Sequence, residues 1–269
     1  MAAVKIAGIL NITKDSFSDG GKYLDPDAAL THARTLMADG ADFLDIGAAS
    51  SNPDAAPVTP ETEIARLAAI LPALAAEKIP VSVDSFAPAV QRWALEQGVD
   101  YLNDIHGFPD AALYPALAVS PAKLIVMHAV QQRGAATRMD VKPTEILDRI
   151  ERFFAARIGV LTAAGVARER LILDPGMGFF LGSDPETSFI VLRALPMLKA
   201  RFGLPLLVSV SRKSFLRAVT GLGPAESGPA NLAAELFLQD QGVEFIRTHE
   251  PKALTVALAV RAALAGKTT

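Results

Sequence analysis

The chain has 269 residues, 51% of them apolar and 20% charged, with a formal net charge of -3 and no cysteine. Such a length can bury one large core, the missing cysteines exclude a disulfide framework and thiolate metal sites, and the near-neutral charge gives no global attraction to nucleic acid or an anionic membrane. The apolar run in MAAVKIAGIL is too short for a signal-peptide core, and no apolar stretch approaches the roughly 18 residues of a membrane span. The expectation is a cytoplasmic protein with no nucleic-acid or membrane partner, whose cationic chemistry is local.

In chain order, β-branched runs alternate with Ala- and Leu-rich segments. VKIAGIL is followed by a helix pattern at 26–39, DFLDIG by one at 60–76, VSVDS by one at 87–97, then YLNDI, then LIVMH before a pattern at 143–164. RLILD precedes 186–200, LLVSVS runs into a short helix signal and a pattern at 228–241, and EFIRT comes last. Several helices open on Pro, Asp or Thr, as helix starts do. Strand–helix alternation calls for a parallel sheet. Eight such units in a single domain over residues 1–269 predict an α/β fold, a closed (β/α)8 or TIM barrel of eight parallel strands. An open doubly wound sheet would more often carry a Gly-rich dinucleotide turn after strand one, and none is present.

A weak internal repeat supports the barrel. DGADFLDIG at 39–47, QGVDYLNDI at 97–105 and QGVEFIRTH at 241–249 share a Gly, a small apolar residue, an acid, an aromatic and Leu or Ile. Each Gly reads as a helix C-cap. Five residues beyond Gly40, Gly98 and Gly242 come Asp45, Asn103 and Arg247, three different polar groups at the far ends of three strands. Asp84 and Asp174 end VSVD and LILD in the same way. A single Asp or Asn there reads as a loop cap. Five at equivalent positions, joined by Lys213 after strand seven, predict a shared site at the face where barrel enzymes gather their catalytic groups.

In LLVSVSRKSFLRA, residues 206–218, Arg212, Lys213 and Ser214 stand where a buried strand gives way to a helix. Cations and a helix N-terminus at the mouth favour an anionic ligand. Arg247 and His249 are two apart, hence on one face if the strand stays regular, and suit a second anionic group.

The ordered motifs GILNITKDSFSDGG (8–21), LDIG (44–47), VSVDS (81–85), LNDIHG (102–107), LILDPGMGF (171–179), SRKS (211–214) and RTH (247–249) resemble the signature of the dihydropteroate synthases over nearly the whole chain. The resemblance implies condensation of 6-hydroxymethyl-7,8-dihydropterin diphosphate with para-aminobenzoate, releasing diphosphate, with Mg2+, in folate biosynthesis, by a homodimer. It assigns Asp84, Asn103, Asp174 and Lys213 to the pterin, whose N–H donors and carbonyl a carboxylate, an amide and an ammonium can read in one plane. It assigns Asn11 to the metal, Asp45 to its surroundings and the diphosphate, and Arg247 and His249 to the diphosphate. Ser214 matches the contact to the para-aminobenzoate carboxylate, in a region with Ser51, Phe179, Phe180 and Phe215, and Lys213 is expected to bridge both substrates. The catalytic set is then Lys213, Asp84, Asp174, Arg247 and His249, with no covalent nucleophile.

Departures from the family pattern carry information too. AASSNPDA at 48–55 puts Ser51 and Asn52 where Thr and Arg are usual, Lys14 replaces a Pro, Phe180 and Leu181 stand for Gly and Lys, and Phe215 follows SRKS. This variant pattern resembles the sulfonamide-insensitive branch. A pterin-dependent methyltransferase on a similar barrel could share Asp84, Asn103 and Asp174 but has no use for the SRKS and RTH anion grips; a non-catalytic pterin binder is motivated by Asn52. His32 reads as solvated and Trp93 as packed. His106 follows Asn103 into a polar loop, while His128 can pack beneath the mouth or line it. The four histidines lack zinc-like spacing. Phe179 and Phe180 cannot both point inward in an extended segment, so one is expected to line a loop or pocket.

Overall fold

The computed structural model describes residues 4–13, 24–50, 56–131, 134 and 139–266. Lys14, Ser51 and Asn52 lie outside the described residues. The strands are β1 Lys5–Asn11, β2 Phe43–Gly47, β3 Val81–Asp84, β4 Tyr101–Asp104, β5 Lys123–Met127, β6 Leu171–Asp174, β7 Leu207–Val208 and β8 Phe245–Thr248. They form one parallel sheet in the order β6-β5-β4-β3-β2-β1-β8-β7. A parallel bridge between Leu173 and Leu206, with the Leu173 N–H donating to the Pro205 carbonyl at 2.9 Å, joins the two ends. The predicted eight-stranded barrel is what forms, with its narrowest seam at β6 and β7.

Around it lie α1 Pro26–Ala38, α2 Pro60–Ala68, α3 Leu71–Ala76, α4 Pro88–Glu96, α5 Tyr114–Val119, α6 Ile146–Ala163, α7 Pro185–Phe202, α8 Ser214–Thr220, α9 Gly228–Asp240 and α10 Pro251–Leu264. Pro in the first turn costs no hydrogen bond, because that N–H has no helical partner. The side chains of Asp25, Thr59 and Asp184 accept from main-chain N–H groups at the starts of α1, α2 and α7.

Three expectations need correction. The helix pattern at 60–76 is two helices: Ile70 leaves the helical region at φ -122° and Pro72, lacking an N–H, opens α3. The strand expected at 206–211 is regular only at Leu207–Val208. The pattern at 143–164 starts as a 3-10 turn over Pro143–Glu145 before α6 begins. Two helices have no counterpart in the sequence pattern: α5 is only six residues long, and α10 exposes Val256, Val260 and Leu264, which blurs its polar face.

The repeat has a physical meaning at both ends of the barrel. Gly40, Gly98 and Gly242 sit at φ 99°, 75° and 76°, and at Gly40 a Cβ would collide with the Thr255 hydroxyl. The acid two residues on supplies an acceptor to the start of a neighbouring strand. Asp42 accepts from the Ile6 N–H at 2.7 Å, Asp100 from Val81 at 2.9 Å and Glu244 from Leu206 at 3.0 Å. The aromatic then turns into the barrel: Phe43 stacks on Tyr101 at 4.4 Å between centroids and meets Phe245 edge-on at 6.2 Å. With Ala7, Ile125, Ile172 and Leu207 they form the apolar layer of the barrel interior. Burying such a ring contributes about 1.5–3 kcal/mol. Because side chains alternate along a strand, the residue two beyond each aromatic shares its face. Asp45, Asn103 and Arg247 therefore rise from the aromatic layer toward the mouth, while Leu44, Leu102 and Ile246 face the surrounding helices as part of the main core.

Candidate active site

The three polar residues of the repeat bond to one another. Arg247 Nε donates to Asp45 Oδ2, Asn103 Nδ2 donates to the same oxygen at 3.2 Å, and Arg247 Nη2 donates to Asp84 Oδ2 at 3.0 Å. Burial opposes the Arg247 charge, but Asp45 and Asp84 outweigh it and raise its pKa. Burial, reinforced by the adjacent Asp45, pushes the Asp84 carboxyl up to about 7 against the pull of Arg247. Asp45 Oδ1 and Asn103 Oδ1 are buried and have no hydrogen-bond partner among the described residues. Protein interiors rarely leave such atoms unpaired, so the floor of the mouth offers polar atoms to a ligand.

Asp174 and Lys213 complete this floor. Asp174 Oδ1 accepts from the Gly176 N–H at 2.8 Å, yet burial pushes the carboxyl up to about 6. Burial and then Arg247 pull Lys213 down to about 8, against the attraction of Asp174 and Asp84. Near neutral pH the ammonium is mainly charged. Its Nζ lies 4.9 Å from the Phe180 ring centroid, within range of a cation–π contact.

The loop after β6 is pressed against the start of α8. Gly178 adopts φ 66°, and a Cβ there would sit 3.3 Å from Ser214 Oγ and 3.6 Å from Lys213 Cδ. Gly178–Phe180 is a 3-10 turn rather than an extended segment, which accommodates two neighbouring rings. Phe180 is buried with Ile105 and Met127, and half-buried Phe179 packs beside them. The Val130 N–H donates to the Phe180 carbonyl at 2.9 Å, tying this turn to the loop after β5. Phe215 does not join the group. One position after Ser214, it turns into the main core at 1% exposure and meets Phe189 edge-on at 5.2 Å, so its expected place against para-aminobenzoate is corrected to a packing role.

Arg247 and His249 also part company. β8 ends at Thr248, so strand alternation no longer governs His249. Ser211 Oγ accepts from the His249 main-chain N–H at 3.3 Å and lies 2.9 Å from Nδ1. If the hydroxyl donates its one proton to Nδ1, the ring proton resides on Nε2. Burial, with Arg212, Arg247 and Lys213 nearby, holds the His249 pKa well below 6.5, so the ring is neutral. In that tautomer it can still donate from Nε2 to an anion. Ser211 carried a signal in the sequence, since it opens SRKS at a strand end, but its histidine partner is 38 positions away. His128, by contrast, packs beneath the mouth: it is 3% exposed, lies 3.2 Å from the Pro175 carbonyl and edge-on to Phe153, and burial lowers its pKa to about 4.

Supporting contacts fix the bases of the other loops. Ser85, which follows Asp84, donates to buried Glu63 at 2.8 Å, and Gln91 Nε2 joins the Ser85 carbonyl to Asp104 at 2.7 and 2.8 Å. Asn11 ends β1 beside Gly47, where a Cβ would sit 3.5 Å from its Oδ1. No group of three His, Asp or Glu side chains among the described residues could hold a metal ion. One amide oxygen at the mouth nevertheless fits Mg2+, which keeps several waters and takes few protein ligands alongside substrate phosphates.

The pterin-binding-enzyme family model matches residues 7–249. A dihydropteroate synthase type-2 of Escherichia coli is 62% identical over 259 residues, covering 96% of this chain and 95% of that one. The chain belongs to the dihydropteroate synthase family. A type-3 dihydropteroate synthase of Escherichia coli is 50% identical, covering 97% and 99%. Among solved structures, the Xanthomonas albilineans dihydropteroate synthase with 4-aminobenzoic acid superposes with a TM-score of 0.87 at 32% identity, covering 99% of this chain and 95% of its own. The Anaplasma phagocytophilum dihydropteroate synthase with bound 6-hydroxymethylpterin-monophosphate gives 0.84 at 37% identity, covering 97% and 99%.

Proposed function

We propose that the protein joins 6-hydroxymethyl-7,8-dihydropterin diphosphate to para-aminobenzoate and releases diphosphate. The observation that carries this reading is a single barrel mouth holding both a floor of Asp84, Asn103 and Asp174 and the cationic and imidazole groups of Lys213 and His249. In their ionised forms Asp84 and Asp174 accept from the pterin N–H edge, and Lys213 donates to the pterin carbonyl side and toward the aminobenzoate. Ser214, at the start of α8, meets the aminobenzoate carboxylate; Ser51, expected in the same region, lies outside the described residues. Neutral His249 donates from Nε2 to the diphosphate, and Arg247 supplies positive potential from below.

As the carbon–oxygen bond breaks, its electron pair leaves with the diphosphate. The aromatic amine forms the new carbon–nitrogen bond and gives up one proton, which passes to the released diphosphate or to water. Donors fixed in place before the reaction stabilise the growing negative charge without reorganising. Asn11 would help hold Mg2+, which when bound would add charge neutralisation at the leaving diphosphate.

The same reading includes one domain over residues 1–269, cytoplasmic location and insensitivity to sulfonamides. No helix among the described residues is long and apolar enough to cross a membrane. Assembly as a homodimer is supported by the apolar ridge of Val256, Val260 and Leu264 on α10, exposed at 58%, 55% and 83%, which a second copy would cover. Sedimentation at rising concentration tests that assembly.

Diphosphate release assayed with and without para-aminobenzoate tests the reaction. Release that requires both substrates and yields dihydropteroate supports it. Pterin binding with no release in either condition would leave a binding protein, and methyl transfer without release would leave the methyltransferase reading.

A further inference from the structure

The core-facing side of α9 is polar where an amphipathic helix is expected to be apolar. Its buried residues are Asn231, Glu235 and Leu238, spaced i, i+4 and i+7, and the first two are 2% and 1% exposed. Burying an amide and a carboxyl is costly without partners, so their surroundings indicate what they do. Asn231 Oδ1 accepts from the main-chain N–H of Arg212 at 2.9 Å, and its Nδ2 donates to Ser227 Oγ at 3.2 Å. Arg212 is one of three described non-glycine residues with positive φ, at 59°. That conformation is disfavoured for a side chain with a Cβ and persists only where the surroundings hold it. Its neighbours are Ser211, which meets His249, and Lys213. The Arg212 guanidinium reaches Glu250 at 3.2 Å, and the Glu250 N–H donates to Thr248 Oγ1 at 3.1 Å. Glu235, one turn along α9, faces the Thr248 hydroxyl.

We propose that Asn231, with Glu235 behind it, is a positioning residue that holds Arg212 in its left-handed conformation and so sets Lys213, Ser211 and His249 in register across the β7 and β8 loop ends. Neither side chain touches the substrates. Arg212 acts as a pivot: rotating it out of the left-handed region reorients the peptide units on both sides, which carry the Ser211–His249 contact one way and Lys213 the other. Misplacing such groups by about 1 Å can cost on the order of a hundredfold in rate. The inference rests on the roles proposed above for Lys213 and His249.

The experiment is a cycle of Asn231→Ala, Arg212→Gly and the double variant in the full-length protein. It reads the Kd of inorganic diphosphate by calorimetry, the KM for para-aminobenzoate, kcat and the thermal midpoint. Asn231→Ala should raise both the Kd and the KM by about tenfold or more. Glycine takes a positive φ freely, so in the Arg212→Gly background the same substitution should change them less than about threefold. Glu235→Gln, which keeps shape and polarity, should retain most of the parent's binding, while Glu235→Ala should not. Equal losses from Asn231→Ala in both backgrounds, or a lower midpoint with Kd and KM unchanged, would overturn the proposal. Lys213→Ala and His249→Ala serve as references. If neither alters these constants the proposed site itself fails, whereas if they do and Asn231→Ala does not, only the positioning role fails.

Discussion

Asp45 and Arg247 each stand five residues after a helix-closing glycine of the same internal repeat, and inside the barrel their side chains form an ion pair that also engages Asp84. Arg247 is thus enclosed by two carboxylates. Removing one partner of a buried pair leaves the other charges uncompensated. Arg247→Ala should lower unfolding stability by about 3–5 kcal/mol at neutral pH, and adding Asp45→Asn should restore part of that without restoring turnover. Denaturant titration of the single and double variants checks it; a parent-like midpoint for the single variant would refute the pairing.

This arrangement separates Arg247 from His249 at the diphosphate site. Because Arg247 holds Asp84, Arg247→Ala is expected to weaken an unphosphorylated pterin as well as a pterin diphosphate. His249 meets Ser211 instead of the floor carboxylates, so His249→Ala should act mainly on the phosphorylated ligand. The expected difference is about tenfold between the two ligands, or about 1.4 kcal/mol. Calorimetry with both ligands decides it, and equal losses for His249→Ala would remove His249 from the anion site.

Asp174 gives a prediction for stability against pH. Its folded pKa, pushed up to about 6 by burial, exceeds the ordinary carboxyl value of 3.8. The fold therefore favours the protonated form: the stabilisation is complete below about pH 4 and is lost as pH rises through about 6. Asp174→Asn stays neutral throughout and can keep the contact to the Gly176 N–H through its amide oxygen. It should match the parent near pH 4 and exceed it by about 1–3 kcal/mol at pH 8, while catalysis collapses. Unfolding midpoints at the two pH values measure this, and a pH-independent difference between variant and parent would count against it.

Much of the fold and part of the site are legible in the sequence because both rest on local periodicity. The eight strands, the glycine caps and the polar residue five beyond each glycine follow from patterns within nine residues. The break at Ile70 is less legible, since two short helices share one apolar pattern and only Pro72 marks the restart. The placement of Arg247 is illegible for a different reason. Strand alternation puts Arg247 and His249 on one face, yet β8 stops between them and their partners come from β2, β3 and the β7 turn. The buried polar face of α9 is visible as Asn231 and Glu235 at i and i+4, but only the fold brings Arg212 to it.

Asn11 supplies one amide oxygen beside Gly47. If it helps hold Mg2+ with the diphosphate, Asn11→Ala should raise the Mg2+ concentration for half-maximal rate by about tenfold, or about 1.4 kcal/mol, and leave binding of an unphosphorylated pterin unchanged. Rate titrations against Mg2+ at saturating substrates give the first quantity and calorimetry the second. An unchanged Mg2+ requirement would take Asn11 out of the metal site.

Phe180 and Phe215 separate two explanations of how sulfonamides could be excluded. A sulfonamide shares the aniline of para-aminobenzoate but replaces a flat carboxylate with a bulkier tetrahedral group, so shape is the available means of discrimination. Phe180 is placed for this, with its ring 4.9 Å from Lys213 Nζ in a turn that packs on Ser214. Phe215 is not: it is 1% exposed and lies against Phe189 inside the core. Phe180→Gly should lower sulfonamide inhibition constants by about tenfold to a hundredfold, as expected for relief of a clash worth roughly 1–3 kcal/mol. The KM for para-aminobenzoate should move less, because the flat carboxylate does not need the vacated space. Phe180→Leu keeps a side chain against Ile105 and Met127 and should fall between parent and glycine, guarding against a variant that merely folds poorly. Phe215→Leu should lose roughly 1 kcal/mol of stability with the ratio of inhibitor to substrate constants unchanged. If instead Phe215→Leu moves that ratio and Phe180→Gly does not, discrimination is transmitted through the core beneath α8 and the ring beside Lys213 is not the filter.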